Sequence, residues 1–109
     1  MGCFVYMTAS DRDEARRIAR ALVEARLAAC ANIHEGHTSV YWWEGEVQEE
    51  TECAIIAKTR ADLVPALTDM VKSMHSYDCP CVVTMDLTGG NQAFFEWIES
   101  ETVSVTVSS

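Results

Sequence analysis

The run Tyr41-Trp42-Trp43-Glu44-Gly45 constrains this chain more than any other stretch. Successive residues of an extended strand point to opposite faces, so three adjacent aromatics place large, rigid apolar area on both. A chain of 109 residues covers one face of such a strand from its own core and has little left to cover the other. Gly45 allows a tight turn, and the chain then resumes at Glu46-Val47. The run therefore reads as the end of a long hairpin that some other surface must cover, and its aromatics Tyr41, Trp42 and Trp43 read as interface residues.

The length fits one domain, residues 1–109, and leaves no room for a second. Apolar residues make up 49% of the chain, enough for a packed core. No apolar run approaches the roughly 18 residues of a membrane span. No basic segment precedes an apolar block, so a secretory signal is not expected. Met1-Gly2 does not make a myristoylation motif, because Tyr6 stands where that motif wants Ser or Thr. Seventeen acidic residues against 8 basic ones give a formal charge of −9. Nucleic acid is excluded as a partner on that balance, since binding it needs a basic surface. An acidic coat of this kind keeps a protein soluble and also gathers divalent cations. Cysteines stand at 3, 30, 53, 79 and 81, an odd number without a C-x-x-C pair. This usage points to free thiols in a reducing cytoplasm rather than a disulfide framework.

Along the chain, Cys3 to Met7 is a short run of β-formers closed by Thr8-Ala9. Ser10 is predicted to cap a helix on which Ala15, Ile18, Ala19, Leu22, Val23 and Leu27 fall at helical spacing. Ala29 to Trp43 reads as one long strand with a bulge or bend at Gly36. The return strand runs from Val47 to Lys58, with a wet half at 46–52. Asp62 is predicted to cap a second helix, with Pro65 in its first turn and Leu63, Leu67, Met70, Val71 and Met74 on one face. Cys81 to Leu87 is another β-rich run, and Asn91 caps a helix carrying Phe94, Phe95, Trp97 and Ile98. The tail 102–109 alternates Val with Ser or Thr and reads equally as a short strand or a flexible end. The order β-α-β-β-α-β plus a C-terminal helix predicts an α+β, ferredoxin-like split βαβ sandwich with a long hairpin between strands two and three.

The chemistry-bearing residues gather near the end of the second helix. His75, Cys79 and Cys81 offer imidazole and two thiols, a donor set that suits Cu(I) or another soft or divalent metal. Cys79 and Cys81 would share one side of an extended segment. The split βαβ order sets strands one and four close together, which would bring the Met7 thioether toward Cys81 and His75. The expected metal ligands are therefore His75, Cys81 and Met7, with Cys79 beside them; the competing expectation is that these groups simply pack. His34 and His37, at the bend of the long strand, read as an exposed loop. No nucleophile elbow and no Gly-rich phosphate loop is present, so neither a hydrolase nor a nucleotide-binding enzyme is indicated.

Several longer stretches carry a family resemblance. Ala19 to Asn32, Thr38 to Gly45, Lys58-Thr59-Arg60, Leu63 to Leu67, and Gly90-Asn91 with Trp97-Ile98 occur in the order of the CutA family of divalent-cation tolerance proteins, which the chain resembles from about Val5 to about Ile98. The resemblance implies a ferredoxin-like protomer assembled as a compact homotrimer, a cytoplasmic non-enzyme linked to tolerance of copper and other divalent metals. The alternative it leaves open is a PII-like trimer that senses a small ligand at clefts between subunits. The chain departs from the family pattern at Ser76 in place of proline and Cys81 in place of a carboxylate. Met7 stands where members often carry cysteine.

Overall fold

The structure, a computed structural model, describes residues 2–103. The tail at 104–109 lies outside the described residues. Strand β1 (Gly2–Ala9) leads into helix α1 (Arg12–Glu24), then strands β2 (Cys30–Trp43) and β3 (Glu46–Arg60). Helix α2 (Val64–Met74), strand β4 (Val82–Asp86) and helix α3 (Gln92–Glu101) follow. The four strands form one sheet in the order β2-β3-β1-β4, with every neighbouring pair antiparallel. The architecture is thus the α+β one expected. No helix among the described residues is long and apolar enough to cross a membrane.

Period-two alternation decides which side of the sheet is core. Cys3, Val5, Met7 and Ala9 of β1 sit in register with Thr59, Ala57, Ile55 and Cys53 of β3, and all eight are buried. Helix α1 lays Ala15, Ile18, Ala19 and Leu22 on this face, and α2 adds Leu67 and Val71. Each fully buried Leu or Ile there contributes roughly 1.5–3 kcal/mol of apolar transfer. Helix α3 closes one end of the sheet, burying Phe95 and Ile98 with Ala29 and Leu87. The opposite face is covered by neither α1 nor α2. Phe4, Tyr6, Ile56, Val83 and Met85 share it by register, and Val83 and Met85 are exposed.

The helix starts differ from the sequence expectation in two places. Asp11, not Ser10, caps α1: its Oδ1 accepts from the Glu14 N–H at 2.8 Å. Ser10 instead donates its N–H to the Glu14 carboxylate, which reaches back as the acid of a capping box does. Asp62 does not cap α2. It lies in a 3-10 turn (Ala61–Leu63) and pairs with Arg60 at 3.1 Å, while Leu63 begins α2 without a side-chain cap. Pro65 occupies the first turn, as expected. The third predicted cap holds: Asn91 accepts from the Ala93 N–H.

The bulge at Gly36 is present. Pairing steps from His34↔Ala54 to His37↔Glu52, and Gly36 has φ +73°. The turn places Glu44 and Gly45 at φ +51° and +79°, the pattern of a two-residue type I′ hairpin. Beyond the bulge the hairpin projects from the body, and the protein measures 46 Å along its longest axis. Trp42 is 74% exposed and Trp43 is 55% exposed.

Candidate functional site

The first half of the short link from α2 to β4, His75 to Tyr77, is pinned by hydrogen bonds. The helix stops at His75, whose backbone turns extended. The His75 ring is closed off from solvent, 1% exposed as a side chain. Its Nδ1 accepts from the Tyr77 N–H at 3.0 Å, which leaves Nε2 as the donor to the Thr8 carbonyl at 2.7 Å. Ser76 donates its N–H to Glu14 at 2.8 Å. The same carboxylate takes the Ser10 N–H and hydroxyl, both at 2.9 Å. Burial alone would raise the Glu14 carboxyl, but the hydrogen bonds from Ser10 and Ser76 outweigh it and hold it at about 2. A single buried acid thus ties the start of α1 to the end of α2.

Tyr77 carries the connection across the sheet. Its hydroxyl donates to Glu52 at 2.6 Å, and Glu52 is buried. Burial first, and then the bond to Glu52 and the nearby carboxylates, push the Tyr77 phenol well above its ordinary range. Tyr77 therefore keeps its proton and remains a donor to Glu52 at any ordinary pH. His37 stands 3.9 Å from the same carboxylate and 3.0 Å from the Ser39 hydroxyl.

These contacts frame a cleft of about 610 Å³ between the link and the hairpin. Thr8, Glu52, Tyr77, Asp78, Cys79 and Cys81 line its inner end. Ser39, Tyr41, Trp43, Gln48 and Glu50 line the outer end. The outer set follows from register, since Tyr41↔Gln48 and Ser39↔Glu50 are cross-strand partners on one face of β2 and β3. A second hollow, of about 460 Å³ between α1 and β2, holds Arg16 and Arg20, but these already pair with Glu35 and Glu24.

The structure brings Cys79 and Cys81 to one cleft and does not bring Met7 to them. Met7 is buried in the core opposite Val82, so Cys81, one residue before Val82, belongs with Thr8 on the other side of the sheet. His75 lies between, with both ring nitrogens already engaged. Among the described residues no three His, Cys, Asp or Glu side chains converge to hold a metal ion. Burial, then the charge of Glu52, raises the Cys81 thiol. Glu14, Glu52 and Tyr77 were not singled out as functional from the sequence. Only Glu14 left a signal there, as an acid shortly after a cap; the Glu52–Tyr77 bond spans 25 residues and depends on the sheet register.

A four-stranded antiparallel sheet helical on one face, with an overlong β2–β3 hairpin and a polar, thiol-bearing cleft at its root, defines a small α+β class. The match to known proteins narrows it. Residues 3–101 fit the family model for "CutA1 divalent ion tolerance protein", and the chain belongs to that family. The divalent-cation tolerance protein CutA of Archaeoglobus fulgidus is 45% identical over 100 residues, which cover 92% of this chain and 96% of that one. The chloroplastic CutA 1 of rice is 44% identical over 98 residues, 90% of this chain but 55% of the relative, so the chain spans about half the length of the plant protein. The solved structure of the CutA1 protein from Thermus thermophilus superposes with a TM-score of 0.92 at 41% identity, covering 94% of this chain and all of that one.

Proposed function

We propose that the chain works as a cytoplasmic homotrimer of ferredoxin-like protomers that responds to metal by binding it, without catalysing a reaction. The strand order β2-β3-β1-β4 and the helices on one face support the ferredoxin-like reading. The trimer reading rests on the hairpin, whose Tyr41, Trp42 and Trp43 stand on a segment the chain cannot cover alone. Val40, Trp42 and Val47 share the more exposed side and form the principal contact. A closed ring of three would cover them and the open edges of β2 and β4 together.

The observation that supports the metal reading is that Cys79 and Cys81 line the same cleft. Of the four ligands drawn from the sequence, His75, Cys81, Met7 and Cys79, the two cysteines carry the site in this geometry. His75 would have to surrender a hydrogen bond to join, and Met7 faces the core. Two thiols without a third converging ligand fit a soft, low-coordinate ion such as Cu(I) better than a hard divalent cation. The test is a Cu(I) competition titration on wild type, Cys79→Ser, Cys81→Ser and His75→Ala. Affinity should fall at least tenfold in each cysteine variant; equal affinity and stoichiometry in all four proteins would remove the site. A second reading, a ligand-sensing trimer similar in plan to PII-type proteins, is favoured by the size of the cleft, which far exceeds what one ion fills.

A further inference from the structure

The hollow between α1 and β2 has an apolar floor and a cationic rim. Ala19 and Val23 of α1 lie one turn apart, and Ala31 and Ile33 of β2 complete the floor. Register places Ala31 opposite Ala57 and Ile33 opposite Ile55, so both lie on the helix-bearing side of the sheet. Val23 is an exposed apolar residue there. The bare sheet face of Phe4, Tyr6, Val83 and Met85 is on the other side, and the aromatic run at the hairpin end takes no part. A strand that pairs with the β2 edge lies in the plane of the sheet and leaves the helical side open.

The rim itself shows what it accepts. Arg12, Arg16 and Arg20 follow one another at intervals of four along α1. The Glu35 carboxylate of β2 sits between the first two, 3.6 Å from Arg12 and 3.9 Å from Arg16. One turn on, between Arg16 and Arg20, β2 offers the apolar Ile33 in place of a second acid. Arg20 turns instead to Glu24 of its own helix, and both side chains of that pair are well exposed. Exposed pairs of this kind contribute little to stability, so an incoming anion displaces Glu24 readily. The second place in the row thus joins two guanidiniums to an apolar floor.

We propose that this hollow binds a small monocarboxylate with an apolar body, its carboxylate at Arg16 and Arg20 and its hydrocarbon on Ala19, Val23, Ala31 and Ile33. The planar guanidinium fork matches a carboxylate through paired N–H donors. The apolar floor supplies the rest of the selection. The chain carries a formal charge of −9, so an anion without apolar surface is opposed by the molecule as a whole. A neutral hydrocarbon leaves both guanidiniums unused. The volume of about 460 Å³ lies within the range that holds a small organic molecule. The inference goes beyond the metal reading and shares no residue with the thiol-bearing cleft.

The experiment is a titration of the full chain with 4-phenylbutyrate, followed by methyl NMR and by isothermal calorimetry. Saturable shifts are expected at the methyls of Val23 and Ile33, with Val47 and Val83 unmoved. Arg16→Gln and Arg20→Gln, both at exposed positions, should each weaken binding at least fivefold. Lys72→Gln removes the same charge from α2 and should change affinity less than twofold. Val23→Ser keeps both arginines and should weaken binding at least threefold. 4-Phenylbutanamide has the body without the charge, and acetate has the charge without the body; each should bind at least tenfold more weakly. Cys79→Ser with Cys81→Ser should leave the affinity unchanged, which separates this site from the metal reading. Absence of saturable shifts at Val23 and Ile33 would overturn the proposal. So would equal losses in Lys72→Gln and the groove variants, equal affinity for the acid and its amide, or loss of binding in the cysteine variants.

Discussion

Strand β3 is one continuous element with two unlike halves. From Cys53 to Thr59 its inward side chains are buried, paired with β1 and covered by α1 and α2. From Glu46 to Thr51 the same strand pairs only with β2 and lies open to solvent. The backbone and the ladder are the same in both halves; what changes is the presence of a second layer. Sheet pairing extends a strand, but only packing against another surface stabilises it, since a lone two-stranded hairpin is marginal in water. The bulge at Gly36 marks the boundary, where β2 leaves the body. The root of the hairpin is therefore covered by its own chain, and the projecting half is left bare by the described residues.

Substitutions on either side of that boundary should behave differently. Ile55→Ala, in the root, should cost about 4 kcal/mol, as large-to-small changes in a core do, and lower the melting temperature of the isolated protomer and of any assembly alike. Trp42→Ala, in the projecting half, should cost about 3 kcal/mol per chain but only in the assembly. It should shift the oligomer distribution in light scattering while leaving the far-ultraviolet circular dichroism of the protomer intact. An equal melting loss in dilute protomer would place Trp42 in a core and erase the distinction.

Much of this contrast was legible in the residues. The Tyr41-Trp42-Trp43-Glu44-Gly45 run announced the hairpin end, and the polar stretch 46–52 announced its wet return. Alternation and helical spacing report which residues seek a core, and those patterns are local. Caps were less legible, because Ser10 and Asp11 are both good candidates and only the reach of Glu14 decides between them. The candidate site was legible in composition and not in geometry. Cys79 and Cys81 reach one cleft as their spacing implied, yet Met7 falls on the far side of the sheet. Proximity of strands one and four was foreseeable; which face each side chain takes depends on register, and a one-residue difference reverses it. The engagement of both His75 nitrogens by backbone groups leaves no trace in sequence.

The Glu14 anchor gives a pH-dependent test of what holds the body together, independent of the hairpin. A carboxyl held at about 2 in the folded state, against its ordinary 4.5, contributes stability above pH 4.5 that is lost as pH falls toward 2. The ionised form is worth on the order of 3 kcal/mol. Glu14→Gln, which keeps one acceptor, should lower stability at pH 7 by about 2 kcal/mol and flatten the decline below pH 4.5 in urea melts. An unchanged acid limb would show that Glu14 is not the residue being titrated. The smallest effect belongs to the turn. Gly45→Ala, at φ +79°, should cost about 1 kcal/mol. If the projecting half is packed by a partner, that loss should appear in assembly stability; if it is bare, local hydrogen exchange at the turn alone should respond.

Native mass spectrometry of the full chain at micromolar concentration tests the partner requirement most directly. The unfinished hairpin predicts a single species at three times the 12.1 kDa chain mass, persisting on dilution. A stable monomer at that concentration, with Trp42 and Trp43 still exposed, would contradict it.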